Sequence, residues 1–237
     1  AAMAAGIKEG DEVITSSITF AASANCTLYC GGRPVFADIN PNTYNIDPES
    51  VKKLITPRTK AVVAVDFTGQ AVELDKLRAI CKEHNLILKY NGQPIGSIAD
   101  MTTFSFHPVK TVTAGEGGAV TTNSKELYDK LVLFHAHGIT RNIQQMVHPT
   151  TDPWYNEQIT LGYNYRMTDF QAALLLSQLE KLEKFSNRRK EIVARYNEAF
   201  SQIPQLQVQE EIPESDTTRH LYILRFCSEM MNCTRRE

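Results

Sequence analysis

Cysteine is scarce and scattered in this chain. Its five cysteines among 237 residues, Cys26, Cys30, Cys81, Cys227 and Cys233, include no Cys-x-x-Cys pair and no cluster with histidine at ligand spacing. That argues against a disulfide framework and against a zinc site, so no metal is expected. A reducing, cytoplasmic setting follows as the expectation. An excess of one charge is also missing: 25 Lys and Arg stand against 27 Asp and Glu, a formal net charge of -2. Neither nucleic acid nor an anionic membrane is therefore an expected partner. No apolar run is long enough to span a bilayer. The opening AAMAAG lacks the basic segment that precedes the apolar part of a signal peptide. It reads as the last turn of a helix stopped by Gly6, and the chain is expected to start inside a longer protein. Internal repeats and low-complexity tracts are absent.

What is present is 42% hydrophobic, enough for one large domain or two smaller ones with a substantial core. Residues 11–17 (DEVITSS) read as a β-branched strand, and 18–30 as a helix closed by Gly31 and Gly32. Residues 34–39 (PVFADI) read as a second strand. Asp47-Pro48-Glu49 is a helix start, with an acid at the N-cap, proline at the first helical position and another acid in the first turn. That helix should run to about Ile55. Residues 60–67 (KAVVAVDF) form a nearly continuous apolar strand, the pattern of burial on both faces. An amphipathic helix follows over 74–84, and another strand begins at 86–88. Such alternation predicts an α/β fold, a mainly parallel sheet between helices, with sites in the loops beyond the carboxyl ends of the strands. Phe20, residues 66–70 and residues 107–110 all fall at such ends.

Residues 102–122 (TTFSFHPVKTVTAGEGGAVTT) carry Lys110 in a loop between a β-rich run and a strand opened by Gly115, Gly117 and Gly118. A partly desolvated lysine loses its proton more easily and becomes a nucleophile for carbonyls, which is what a Schiff-base lysine requires. A solvated loop lysine beside a hairpin turn has the same spacing. Ser124 should cap a helix through about His137, ended by Gly138. Residues 141–163, with Trp154 and several prolines, read as a long loop. Residues 168–203 read as one long helix or two nearly continuous ones, capped by Thr168 and striped by Phe170, Leu174, Leu175, Leu179, Leu182 and Phe185. A boundary is expected near Ile203. The first domain then covers 1–203, and 204–237 opens a second, truncated domain with an extended acidic stretch at 206–212 and a strand at 220–226.

FSFHPVKTVTAGEGGAV followed by LGYNYRMTDFQAALLLSQLEKL resembles the DegT/DnrJ/EryC1/StrS family of pyridoxal-phosphate sugar aminotransferases. DEVITSSITFAAS, VFADINPNTYNID, TKAVVAVDFTGQ and HGIT extend the resemblance over essentially the whole chain. It implies the aspartate aminotransferase-like fold of type I, pyridoxal 5'-phosphate as cofactor, and Lys110 as the residue that bonds it and moves the proton during amino transfer. It further implies Ser105 as a phosphate ligand, Phe20 as the aromatic stacked on the cofactor ring, and Asn164 as a residue reaching the cofactor phosphate of a second subunit, hence a homodimer. Arg166 suits a substrate diphosphate and is equally readable as an interface or capping arginine. His107 is readable as a base near substrate, and more readily as a hydrogen-bonding neighbour. Glu116 reads as structural, and Gly117 and Gly118 as serving backbone geometry. HGIT with WYNEQITLGYNYRM looks most like the pseudaminic-acid pathway members, which aminate a UDP-linked 4-keto-6-deoxy-N-acetylhexosamine with glutamate as donor.

The chain departs from the family pattern in three places. The aspartate segment that pairs with the pyridine nitrogen is missing after Leu88, where Lys89-Tyr90-Asn91-Gly92 follows directly. The phosphate motif ahead of the first helix is missing, and so is the remainder of the small C-terminal domain. Two further readings stay open beside the aminotransferase: a cofactor-deficient, non-catalytic relative, and a sugar dehydratase of the same family. The dehydratases carry histidine in place of the lysine, so Lys110 argues against the latter.

Overall fold

The computed structural model describes residues 1–84, the backbone of 87–89, 99–213 and 215–230. Its first half alternates β1 (Glu12–Ser16), α1 (Ala22–Leu28), β2 (Arg33–Ala37), α2 (Pro48–Leu54), β3 (Thr59–Val63), α3 (Leu74–Glu83) and β4 (Ile87–Lys89). These strands make one parallel sheet in the order β2-β1-β3-β4, with Ile14 opposite Val35 on one side and Val62 on the other. The two-residue period of a strand sends neighbours to opposite faces. Ile14 and Val62 therefore join Val51, Leu77, Ile80 and Cys81 beneath α2 and α3. Val13 and Ala61 join Ala4, Ala5, Ile7 and Met101 on the other face. The expected α/β layering is observed.

The second half adds an antiparallel pair, β5 (Thr102–Ser105) with β6 (Gly118–Thr121), and then α4 (Lys125–His135). Leu127, Leu131 and Phe134 of α4 lie on the Val13 face. A small antiparallel ribbon, β7 (Ile139–Thr140) with β8 (Glu157–Gln158), precedes α5 (Asp169–Leu179) and α6 (Leu182–Phe200). The antiparallel pair β9 (Leu206–Val208) and β10 (Leu224–Phe226) follows. Among the described residues, no helix is long and apolar enough to cross a membrane.

Local chemistry explains most boundaries. The Asp47 carboxylate accepts from the Glu49 N–H (3.0 Å) and starts α2. The Ser124 hydroxyl accepts from the Leu127 N–H to start α4, and Thr168 with Gln171 forms a full capping box on α5. Residues 1–7 close as a C-terminal helix turn: Gly6 (φ 74°) donates to the Met3 carbonyl and Ile7 to that of Ala2, the paired bonds of a Schellman motif.

Four expectations are refined. The helix anticipated over 18–30 starts only at Ala22, because Ser16 bonds the Ile18 backbone and Thr19 bonds Ser23 (2.7 Å), holding a turn in front of it. β3 stops at Val63 rather than at 67, since the chain turns sharply at Thr68 and Gly69. The 141–163 loop is closed by β7 and β8. Residues 168–203 form two helices separated by one tightened turn, in which the Lys181 N–H bonds the Gln178 carbonyl.

At the amino edge of the sheet Glu12 is 2% exposed. Its carboxylate accepts from the Thr56 hydroxyl (2.6 Å) and from Arg58 (2.7 and 3.1 Å), with Arg33 at 3.5 Å. The Thr56 bond and then Arg58 hold the carboxyl below its ordinary pKa, against the opposing effect of burial. A carboxyl depressed in the folded state contributes stability above its unfolded-state pKa and loses it as pH falls through the folded one. Urea unfolding should therefore show Glu12→Gln less stable than the parent at neutral pH by about 1–2 kcal/mol, since Arg58 is itself mostly solvated. The difference should shrink as pH falls below the ordinary glutamate range. A gap that stays constant with pH would show that Glu12 acts only through packing.

Candidate active site

Because β1 and β3 run parallel, the loops that follow them leave the sheet at the same, carboxyl edge. The loop after β3 is unusually well determined. The buried Thr68 takes a left-handed conformation (φ 62°), rare for a β-branched residue, and Gly69 follows at φ 87°. Asn45 holds the loop from one side, accepting from the Phe67 N–H (3.1 Å) and donating to the Gln70 and Ala71 carbonyls. Residues 209–220 hold it from the other. The Thr68 hydroxyl donates to Gln209 (2.9 Å), the buried Arg219 donates to the same Gln209 oxygen (2.8 Å), and the His220 N–H bonds the Thr68 carbonyl (3.2 Å). Gln70 donates to the Glu210 carbonyl and accepts from the Ile212 N–H. A Cβ on Gly69 would collide with the Thr218 hydroxyl.

The lysine loop leaves β5, whose antiparallel pair with β6 is separate from the parallel sheet. Residues 107–110 form a tight turn, with the Lys110 N–H bonded to the His107 carbonyl (2.9 Å). Lys110 is half-buried, and among the described residues its ammonium has neither a hydrogen bond nor an ion-pair partner. Its charge acts on His220. Burial first, then the charges of Lys110 and Arg189, push that imidazole down to about 4, so His220 is neutral at physiological pH. Lys110, His220 and the Thr68–Gly69 turn therefore share one neighbourhood.

The remaining sequence candidates fall around or away from it. Ser105 ends β5 with its hydroxyl exposed, accepting only a long bond from the His107 N–H (3.4 Å). The His107 Nδ1 accepts from the Val109 N–H (3.4 Å), which leaves the proton on Nε2, 3.8 Å from Glu116. This histidine shapes the turn. The Glu116 carbonyl accepts from Gln171 (3.0 Å), and Gly117 (φ 147°) lies against the Met167 methyl, so the glycine turn is seated on the start of α5. Phe20 lies beyond β1, 80% exposed, with its ring uncovered. Asn164 bridges to Ala136 at the end of α4 and its side chain is exposed, as is that of Arg166. Their segment is locked by two glycines: a Cβ on Gly138 would enter the Thr160 carbonyl, and one on Gly162 would strike the Gly138 N–H.

Compared with known proteins, residues 1–237 match the model of the DegT/DnrJ/EryC1/StrS aminotransferase family. The chain belongs to that family. It is 41% identical over 244 residues to the spore coat polysaccharide biosynthesis protein SpsC of Bacillus subtilis, covering 99% of this chain and 62% of that protein. It is 35% identical to the UDP-4-amino-4,6-dideoxy-N-acetyl-beta-L-altrosamine transaminase of Helicobacter pylori, covering 94% of this chain and 60% of that one. The solved structure of PseC from Helicobacter pylori, an aminotransferase involved in the biosynthesis of pseudoaminic acid, superposes with a TM-score of 0.83 at 34% identity, over 94% of this chain and 62% of that one. The fold is thus that of the type I pyridoxal-phosphate-dependent transferases. The chain spans about three fifths of the length of these relatives. The SpsC match runs over seven more positions than the 237 residues here, so SpsC carries residues with no counterpart in this chain.

Thr68, Gln209, Arg219 and His220 escape a sequence reading. The DFTGQ segment marks a strand end, but nothing local announces that Thr68 is left-handed or that Gln209, 141 positions later, satisfies it. The 220–226 run reads as strand from its first residue, whereas the strand begins at Leu224. The glycine lock gives the sharpest test of this architecture. Gly138→Ala, at φ 70° with a carbonyl in the way, should cost at least about 2 kcal/mol in urea unfolding, and a neutral outcome would refute the close approach.

Proposed function

We propose that this chain forms the large domain of a pyridoxal-phosphate-dependent aminotransferase that moves an amino group from glutamate to a nucleotide-linked 4-keto-6-deoxy sugar, in surface-polysaccharide or nonulosonic acid biosynthesis. The observation that carries the reading is the half-buried Lys110 in the loop after β5, whose ammonium has no partner among the described residues. The residues present fit the cofactor's anchoring needs. Lys110 would hold it covalently, the exposed Ser105 hydroxyl would donate to its phosphate, and the uncovered Phe20 ring would face its ring. When bound, the cofactor supplies an electron sink for the substrate carbon that exchanges its proton. Lys110 would take that proton and return it, a role suited to an amine with no competing partner. Arg166 would pair with substrate diphosphate oxygens, and His107 would hold the lysine turn rather than act on substrate.

A homodimer accounts for the exposed face of α5, where Phe170 is 90% exposed and Leu174, Leu176 and Leu179 lie open beside it. Asn164, exposed near this face, would then reach the second subunit's cofactor phosphate. The free cysteines among the described residues are in keeping with a cytoplasmic location. We place the domain boundary near Ile203, after α6.

A second reading, a relative that has lost catalysis, draws on one specific feature. No aspartate or glutamate lies between Leu88 and Asp100 to pair with the pyridine nitrogen; residues 90–98 lie outside the described structure. The two readings part in one assay, with purified protein, pyridoxal phosphate, glutamate and a panel of UDP- and GDP-linked 4-keto-6-deoxy sugars. Turnover that falls about 10³-fold or more in Lys110→Ala supports the aminotransferase. Bound cofactor without turnover on any sugar supports the second reading.

A further inference from the structure

The chain beyond α6 closes over the loop that follows β3. Residues 209–212 and 215–220 bond it at several points. The Thr68 hydroxyl donates to Gln209 (2.9 Å), the Ala71 N–H to Ser215 (3.1 Å), and Gln70 to the Glu210 carbonyl (3.0 Å). In the other direction the Ile212 N–H donates to Gln70 (3.1 Å) and the His220 N–H to the Thr68 carbonyl (3.2 Å). Thr68 and Gln70 are fully buried. Arg219 pins the arrangement: it is buried, donates to the same Gln209 oxygen as Thr68 (2.8 Å), and is braced by Glu211 (3.1 Å). Thr68 (φ 62°) and Arg219 (φ 46°) are both left-handed, so each segment keeps a conformation that is costly alone and is maintained by the other.

The outer side of the same segment is packed differently. Between it and α6 lies a cavity of about 370 Å³, lined by Lys190, Val193 and Asn197 of the helix and by Glu211, Thr217 and Arg219. Lys190 and Asp216 form an ion pair there between two solvated side chains, a contact that holds little. The inner side is thus tightly bonded, and the outer side has space.

We propose that residues 209–212 and 215–220 are a latch on the loop after β3. The two segments open and close as one cooperative unit, pinned by Arg219 and moving toward α6, while the parallel sheet stays intact. Cooperativity follows from shared partners. The Gln209 oxygen serves both Thr68 and Arg219, and the Gln70 side chain bonds both Glu210 and Ile212, so the bonds are lost together. The shape of a loop at the carboxyl edge, where sheets of this kind place their sites, is then set by chain that leads directly into β10. The latch draws on no property of Lys110 or of a cofactor, so it stands or falls apart from the aminotransferase reading.

Native-state hydrogen exchange on the full chain tests this. The Ala71, Ile212 and His220 amides bond across the two segments. In the parent, as urea is raised below the unfolding transition, all three should follow one common exchange curve, faster than that of Ile14 in the central strand. Separate curves, or a common curve that coincides with that of Ile14, would overturn the proposal. Arg219→Met should speed all three by a common factor of about tenfold or more and leave Ile14 unchanged. Acceleration of Ile212 and His220 with Ala71 unmoved would equally overturn it. The parent measurement needs no variant, so the proposal is decided whether or not Arg219→Met folds.

Discussion

Parallel pairing of β1 with both β2 and β3 is the constraint on which the rest of the structure depends. It fixes which ends of the strands face the same way, and so gathers the loops after β1 and β3 on one edge. It also sets the alternation that sends Ile14 and Val62 toward α2 and α3 while Val13 and Ala61 face residues 1–7 and α4. With both faces covered, the carboxyl edge is where loops can expose polar groups without opening the core. Glu12, buried at the opposite edge among Thr56, Arg58 and Arg33, secures the start of the central strand.

The loop after β3 shows how a distant segment can shape that edge. Thr68 would not take a left-handed conformation unaided. It does so because its hydroxyl and carbonyl, and both ends of the Gln70 side chain, are satisfied by residues 209–220. Buried polar groups that are all paired specify one arrangement, and this one places the Arg219–His220 step over the turn. The lysine loop is itself seated on α5 through Gly117 and the Glu116 carbonyl.

Much of this was legible in the sequence where the cause is local. The acid-proline-acid start of α2, the Ser124 and Thr168 caps, the apolar core of β3 and the Gly6 stop each depend on neighbours a few residues away. Family resemblance, carried by two long motifs, selected Lys110 from an otherwise ambiguous loop. What stayed hidden depends on contacts between remote residues. The truncation of β3 at Val63 follows from a turn satisfied by Gln209. The β7–β8 ribbon that closes the 141–163 loop goes with a backbone approach at Gly138 and Gly162, and the placing of His220 with a ring closed through Arg219. No periodicity encodes such pairings.

The central claim is that one lysine among many is the covalent anchor, and the most direct measurement is to map it. The chain is incubated with pyridoxal phosphate and reduced with borohydride, then digested, and the modified peptides are weighed. The account predicts one stoichiometric adduct, on the peptide carrying Lys110. Its contradiction would be no adduct, or a substoichiometric label spread over exposed lysines such as Lys52, Lys125 and Lys184.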